Sequence, residues 1–125
     1  MPLALLAVFC GAGSGACLRY GLGMWLNPLI GWLPLGTLAA NLTGGFLVGV
    51  AVQSFAMTGA APIWRLAAVT GFLGGLTTFS AFSAEVAEHL DLGHWQHGLG
   101  LAMMHLLGSV LLTLLGFFVA RSWYG

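Results

Sequence analysis

Thr70-Gly71-Phe72-Leu73-Gly74-Gly75-Leu76-Thr77-Thr78-Phe79-Ser80-Ala81-Phe82-Ser83-Ala84-Glu85 is the stretch on which the reading of this chain turns. It lies inside an apolar segment long enough to be a helix, yet adjacent glycines followed by two β-branched threonines make a poor helix interior. Glycine costs about 1 kcal/mol relative to alanine there, and threonine is weaker than alanine too. Two readings fit. In one the helix is broken and its freed carbonyls are available to a cation, an arrangement tolerated at membrane depth only where protein or a cavity surrounds it. In the other the helix is merely kinked, with threonine hydroxyls bonding to carbonyls one turn earlier. Beyond the interruption, Phe79 and Phe82 are three residues apart on one helical face, with the hydroxyls of Ser80 and Ser83 nearby. Aromatic rings have positive edges, so such a pair either packs a core or holds a small anion weakly.

Working outward, the 125 residues are 59% hydrophobic and 5% charged, with a mean hydropathy of +0.98, against roughly 25% charged residues in a soluble domain. This composition calls for a lipid solvent. Turn formers and polar residues at 27–34, 58–62 and 89–96 divide one domain, 1–125, into four segments at about 3–26, 35–57, 63–88 and 97–121. Each reaches the roughly 20 residues needed to cross a hydrocarbon core. The first apolar run is too long for a signal-peptide core of roughly 7–15 residues and reads as a retained span. An even number of crossings puts both termini on one side. Three arginines are the only cations apart from histidine: Arg65 and Arg121 belong to the terminal side and Arg19 to the other. This bias is too slight to set one orientation by the positive-inside rule. An inverted pair of such subunits would generate a two-fold axis in the membrane plane. So few cations also leave no basic face for phosphates, so nucleic acid is not an expected partner.

GxxxG pairs at Gly11/Gly15, Gly45/Gly49 and Gly71/Gly75 predict close helix packing. Cys10 and Cys17 would lie about 10 Å apart along a helix, beyond disulfide reach. In the second segment Thr37 and Asn41 share a face, and the Asn41 amide is either a clamp between helices or a pair of N–H donors for an anion. The fourth segment carries His105, Ser109 and Thr113 at four-residue steps, a polar stripe. Arg19 and Glu85 fall toward one membrane side, as interfacial anchors or as charges of a vestibule. His89, His94 and His97 cluster with Glu85, Glu88 and Asp91 around the third connection. His and carboxylates are zinc ligands, which raises a metal site as one reading, but the spacing matches no specific metal motif and reads as a solvated, interface-facing loop. No catalytic triad order, metalloenzyme motif or nucleotide loop is recognisable, so an enzyme is not expected.

These residues resemble the small dual-topology fluoride channels of the Fluc/CrcB family. The resemblance runs along the whole chain, through Gly15-Ala16, Arg19-Tyr20, Gly36-Thr37-Leu38, Asn41 and Gly44. It is densest from Gly71-Phe72 through Gly74-Gly75-Leu76-Thr77-Thr78-Phe79-Ser80 and Phe82-Ser83 to Glu85. It implies an all-α membrane protein of four transmembrane helices with a broken third helix, assembled as an antiparallel homodimer. Such a dimer would have two fluoride pores selective against chloride and a structural sodium ion, Na+, at its centre. By that resemblance Gly74 and Thr77 offer backbone carbonyls to sodium, Phe79 and Phe82 form a phenylalanine box, and Asn41 is the pore asparagine. Arg19 stands at the vestibule, and Thr37, Thr78, Ser80, Ser83 and Ser109 form a hydroxyl track, with Glu85 the acid that follows the box. One departure is His105, where family members often have tyrosine.

The function so implied is passive, voltage-driven export of fluoride across a bacterial inner membrane, lowering cytoplasmic fluoride, with membrane lipid as the surrounding partner. Two competing readings are a proton-coupled small multidrug transporter, which needs a membrane-embedded acid that the first segment lacks, and a non-transporting assembly subunit whose polar residues only join helices.

Overall fold

Proline at the first turn, where its missing N–H is no loss, opens α1 (Pro2–Leu26), in a computed structural model that describes all residues Met1–Gly125. A short 3-10 turn, Asn27–Leu29, follows. Its Asn27 side chain caps the next helix at a distance, accepting from the Gly36 N–H at 2.7 Å and the Thr37 N–H at 3.2 Å. That helix, α2 (Leu35–Thr58), stops at Gly59, whose φ of +65° suits glycine and lets its N–H bond to the Phe55 carbonyl.

The third segment is irregular. It opens with α3 (Pro62–Arg65), widens into a π-helix over Leu66–Leu73 and closes with a single turn, α4 (Gly74–Leu76). Thr77 (φ −86°, ψ 155°) and Thr78 (φ −148°, ψ 122°) are extended, and α5 (Phe79–Asp91) begins directly after them. The π-helix was not foreseen from the sequence. Its one glycine, Gly71, signals a weaker helix interior and its small residues signal close packing, whereas the register of the backbone bonds depends on what packs against them. Finally α6 (Trp95–Tyr124) runs for 30 residues without interruption.

Four helical stretches, Pro2–Leu29, Leu35–Thr58, Pro62–Asp91 and Trp95–Tyr124, are long and apolar enough to cross a membrane, and the chain is a multi-pass membrane protein. The third and fourth stretches extend past the apolar residues into the polar connection, because helix hydrogen bonding does not end where the lipid does. Only 17 of 125 residues are buried, too small a core to hold a water-soluble fold.

The spans pair through glycine. Gly11 and Gly15 of α1 meet the third segment so closely that a Cβ at Gly15 would overlap the Phe72 carbonyl, and one at Gly75 would overlap the Ala12 backbone. Across the molecule α2 and α6 interlock in the same way, with Gly49 against the Thr113 backbone and Gly116 against Phe46. These backbone-to-backbone seams supply the close van der Waals contact that must drive association in lipid, where apolar side chains gain little from meeting one another. They also leave a hollow between α2, α6 and the interrupted third segment.

Candidate functional site: an interrupted helix facing a polar hollow

The hollow, about 430 Å³, is lined by Asn41, Gly74, Thr77, Thr78, Phe79, Phe82, His105, Ser109 and Thr113 together with apolar neighbours. Asn41 organises it. Its Oδ1 accepts from the Thr78 N–H at 2.8 Å and its Nδ2 donates to the Thr78 carbonyl at 3.0 Å, so one amide grips both backbone groups of a single extended residue. Nδ2 also lies 3.0 Å from His105 Nδ1. The amide nitrogen has only hydrogens to give, so Nδ1 accepts and the ring proton sits on Nε2. His105 is buried, and this Nε2 has no partner within the chain.

The clamp re-routes the helix's own bonds. In a continuous α-helix the Thr78 N–H would bond to the Gly74 carbonyl four residues back, but it is held by Asn41. Likewise the Ala81 N–H, which would reach the Thr77 carbonyl, bonds to Thr78 Oγ1 at 3.1 Å in an N-terminal cap of α5. The intervening carbonyls fare differently. Arg19 Nε donates to the Gly75 carbonyl at 3.1 Å, and Asn41 serves that of Thr78. Gly74 and Thr77 are thus two of the positions whose helical donors are bonded elsewhere, and both line the hollow. Thr77 Oγ1 meanwhile donates to the Leu73 carbonyl at 2.8 Å, so hydroxyl back-bonding and an extended backbone occur side by side.

On the far side of the clamp, Phe79 and Phe82 meet edge to face with centroids 5.5 Å apart, and Phe82 tilts over His105 at 4.6 Å. Phe79 is 78% exposed, an apolar ring left for lipid or another protein surface to cover. Ser109 donates to the His105 carbonyl. Thr113 Oγ1 lies 2.8 Å from both the Gly45 and Ser109 carbonyls.

A second hollow of about 380 Å³ opens beside the first and is lined by Arg19, Thr37, Thr78 and Glu85 among others. Thr37, buried, donates to Glu85 Oε2 at 2.7 Å, while Glu85 Oε1 is enclosed with no partner. Thr78 belongs to the wall of both hollows. Of the remaining hydroxyls singled out in the sequence, Ser80 Oγ lies 3.2 Å from Thr78 Oγ1, and Ser83 is exposed; neither lines these hollows.

Residues 6–117 match the model of the family described as CrcB-like protein, Camphor Resistance (CrcB). The chain belongs to the CrcB family. A CrcB relative from Burkholderia mallei (strain SAVP1), named fluoride-specific ion channel FluC, is 51% identical over 124 residues, covering 98% of this chain and 97% of its own. Relatives of the same name from Burkholderia thailandensis (50% over 124 residues) and Burkholderia ambifaria (50% over 125 residues) cover 98% and 99% of this chain.

The residues missed in the sequence are the partners rather than the site itself. His105 was marked as a departure from a family pattern, but its bond to Asn41 spans 64 positions. Asn27, which orients the start of α2 and so the placement of Thr37, carried only a turn signal next to Pro28.

Proposed function

We propose that the chain is a fluoride-selective channel, not an enzyme, that lets fluoride leave the cytoplasm of a bacterium passively across the inner membrane. The naming of relatives at half identity over nearly the whole chain as fluoride-specific ion channels carries this reading. Two polar hollows that share the Thr78 wall support it. A negative interior drives an anion outward with about 2.3 kcal/mol per 100 mV, so neither ATP nor a redox cofactor is required.

Fluoride's hydration shell must be replaced by donors that bind well enough to admit the ion and weakly enough to release it. Arg19 raises anion concentration at the mouth. Of the hydroxyl track, Thr37, Thr78 and Ser109 line the two hollows, the first of them tied to Glu85, and Ser80 and Ser83 extend it on the exposed side of α5. Phe79 and Phe82 offer positive ring edges, which attract an anion without trapping it. Asn41 combines the two roles open to it: it holds Thr78 extended and shares its remaining N–H between His105 Nδ1 and a passing fluoride. His105 Nε2–H adds a buried donor beside Phe82.

Both hollows are open on one side, and the exposure of Phe79 leaves a ring without cover. A second, inverted copy would close them, in an antiparallel homodimer with membrane lipid around it. Gly74 and Thr77 fit a hard cation, because their carbonyls have lost the donors of a continuous helix. Two carbonyls from each copy would hold Na+, which neutralises four converging dipoles and pins the copies together.

Purified protein in liposomes, followed with a fluoride electrode, should release trapped fluoride under a potassium-valinomycin potential and leave trapped chloride inside. Chloride passage at a similar rate, or no fluoride release, would overturn the reading.

A further inference from the structure

Outside the hollows, the strongest cluster of unused side chains lies where α5 turns into α6. Gly93, at φ +80°, reverses the chain after α5, and the His94 N–H returns to the His89 carbonyl at 2.8 Å. This tight turn places His94 over His89, and one helical turn later His97 joins them. One ring nitrogen from each lies within 4.8 Å of the other two. The spacing matches no metal motif, because the reversal at Gly93 brings together residues that a continuous helix would spread around its axis.

The rings are also oriented from outside. His89 Nε2 donates to the Trp32 carbonyl at 2.8 Å, which puts the proton on Nε2 and leaves the Nδ1 lone pair free. A backbone carbonyl on the distal nitrogen is the usual outer partner of a metal-binding imidazole. The Trp32 indole stacks on His97 with centroids 4.5 Å apart and planes 16° from parallel, restricting that ring as well. His94 is exposed and free to swing. All three acidic residues of the chain, Glu85, Glu88 and Asp91, belong to the same helix, α5, so the local field favours a cation.

We propose that His89, His94 and His97 form a binding site for one first-row divalent ion of the zinc class, open to water at the end of α5. Three neutral imidazoles with a fourth position left to water match the preference of zinc for nitrogen ligands in a tetrahedron. Zn–N bonds of about 2.0–2.1 Å require the ring nitrogens to approach to about 3.4 Å, a closure the exposed His94 makes by rotating its side chain. Because Trp32 belongs to the α1–α2 connection, the bound ion ties that connection to the α5–α6 turn, one helical turn from Glu85.

The test is metal content, so it is independent of whether the channel carries fluoride. Full-length protein, freed of any polyhistidine tag, is equilibrated with micromolar free Zn2+ against a competing chelator, and retained zinc is measured by elemental analysis. The expected result is one Zn2+ per chain in the native protein. His94→Ala and His97→Gln are each expected to weaken binding at least about tenfold, the lower end of what even an outer-shell loss costs. Both variants should elute from gel filtration as the native protein does. His94 is exposed, so its replacement leaves packing untouched. No retained zinc in the native protein, or binding by either variant as tight as the native protein's, would overturn the site.

Discussion

The third and fourth spans both carry polar residues and resolve them in opposite ways. In α6, the hydroxyls of Ser109 and Thr113 bond to carbonyls one turn back, Thr113 reaches the Gly45 carbonyl as well, and the helix continues through 30 residues. In the third span the corresponding bonds are given away: Asn41 takes both backbone groups of Thr78, and Thr78 Oγ1 takes the Ala81 N–H. A polar side chain that adds a bond to an intact helix is glue. One that replaces a backbone bond leaves a carbonyl looking for a partner, and in hydrocarbon that partner must be supplied. The difference lies in which groups are left over, not in how many polar residues each span contains.

The clamp is therefore where the contrast is most fragile. Asn41→Ala leaves the Thr78 N–H unpaired, at about 1–3 kcal/mol, and removes one of the donors to its carbonyl. The expected outcome is loss of measurable fluoride efflux with a lowered melting temperature, read by electrode and by thermal unfolding in detergent. Full efflux would mean that the extended residues hold themselves and that the clamp is incidental. Next in size are Phe79→Ile and Phe82→Ile. An aromatic contact is worth about 0.5–1.5 kcal/mol beyond its area, so efflux should fall by up to about tenfold while the elution volume on gel filtration stays unchanged. A loss of assembly in place of transport would assign the rings to packing. The smallest change is expected on the intact side: Thr113→Val removes a hydroxyl that supplements α6 and its contact with the Gly45 carbonyl, costing about 0.5–1.5 kcal/mol of stability. Efflux should remain within about twofold of native, since the backbone ladder of α6 is complete without it. A large loss of flux there would erase the distinction between the two spans.

Four spans were legible because hydropathy is a local property, summed over neighbours in the chain. So were the glycine faces: Gly11/Gly15 and Gly71/Gly75 meet across one seam, and Gly45/Gly49 lie against α6. The Gly74-to-Thr78 weakness was visible for the same reason, as a run of residues that individually disfavour a helix. Its outcome was not. Thr77 alone satisfies both readings drawn from the sequence, with a hydroxyl bonded back to Leu73 and an extended backbone. Asn41 was likewise balanced between clamp and donor, and only its grip on a residue 37 positions away decides what its amide is already doing.

By itself, then, the sequence determined the solvent, the number of crossings, the faces along which helices approach and the weak point of the third span. All of these follow from the apolarity, size and backbone preference of residues close together in the chain. The tertiary structure decided which hydrogen bonds the weak point keeps. Asn41 with Thr78, Thr37 with Glu85, and Trp32 with His89 and His97 are separated by tens of residues. A donor's partner is whatever group packing brings within about 3 Å of it, and no local pattern encodes that distance.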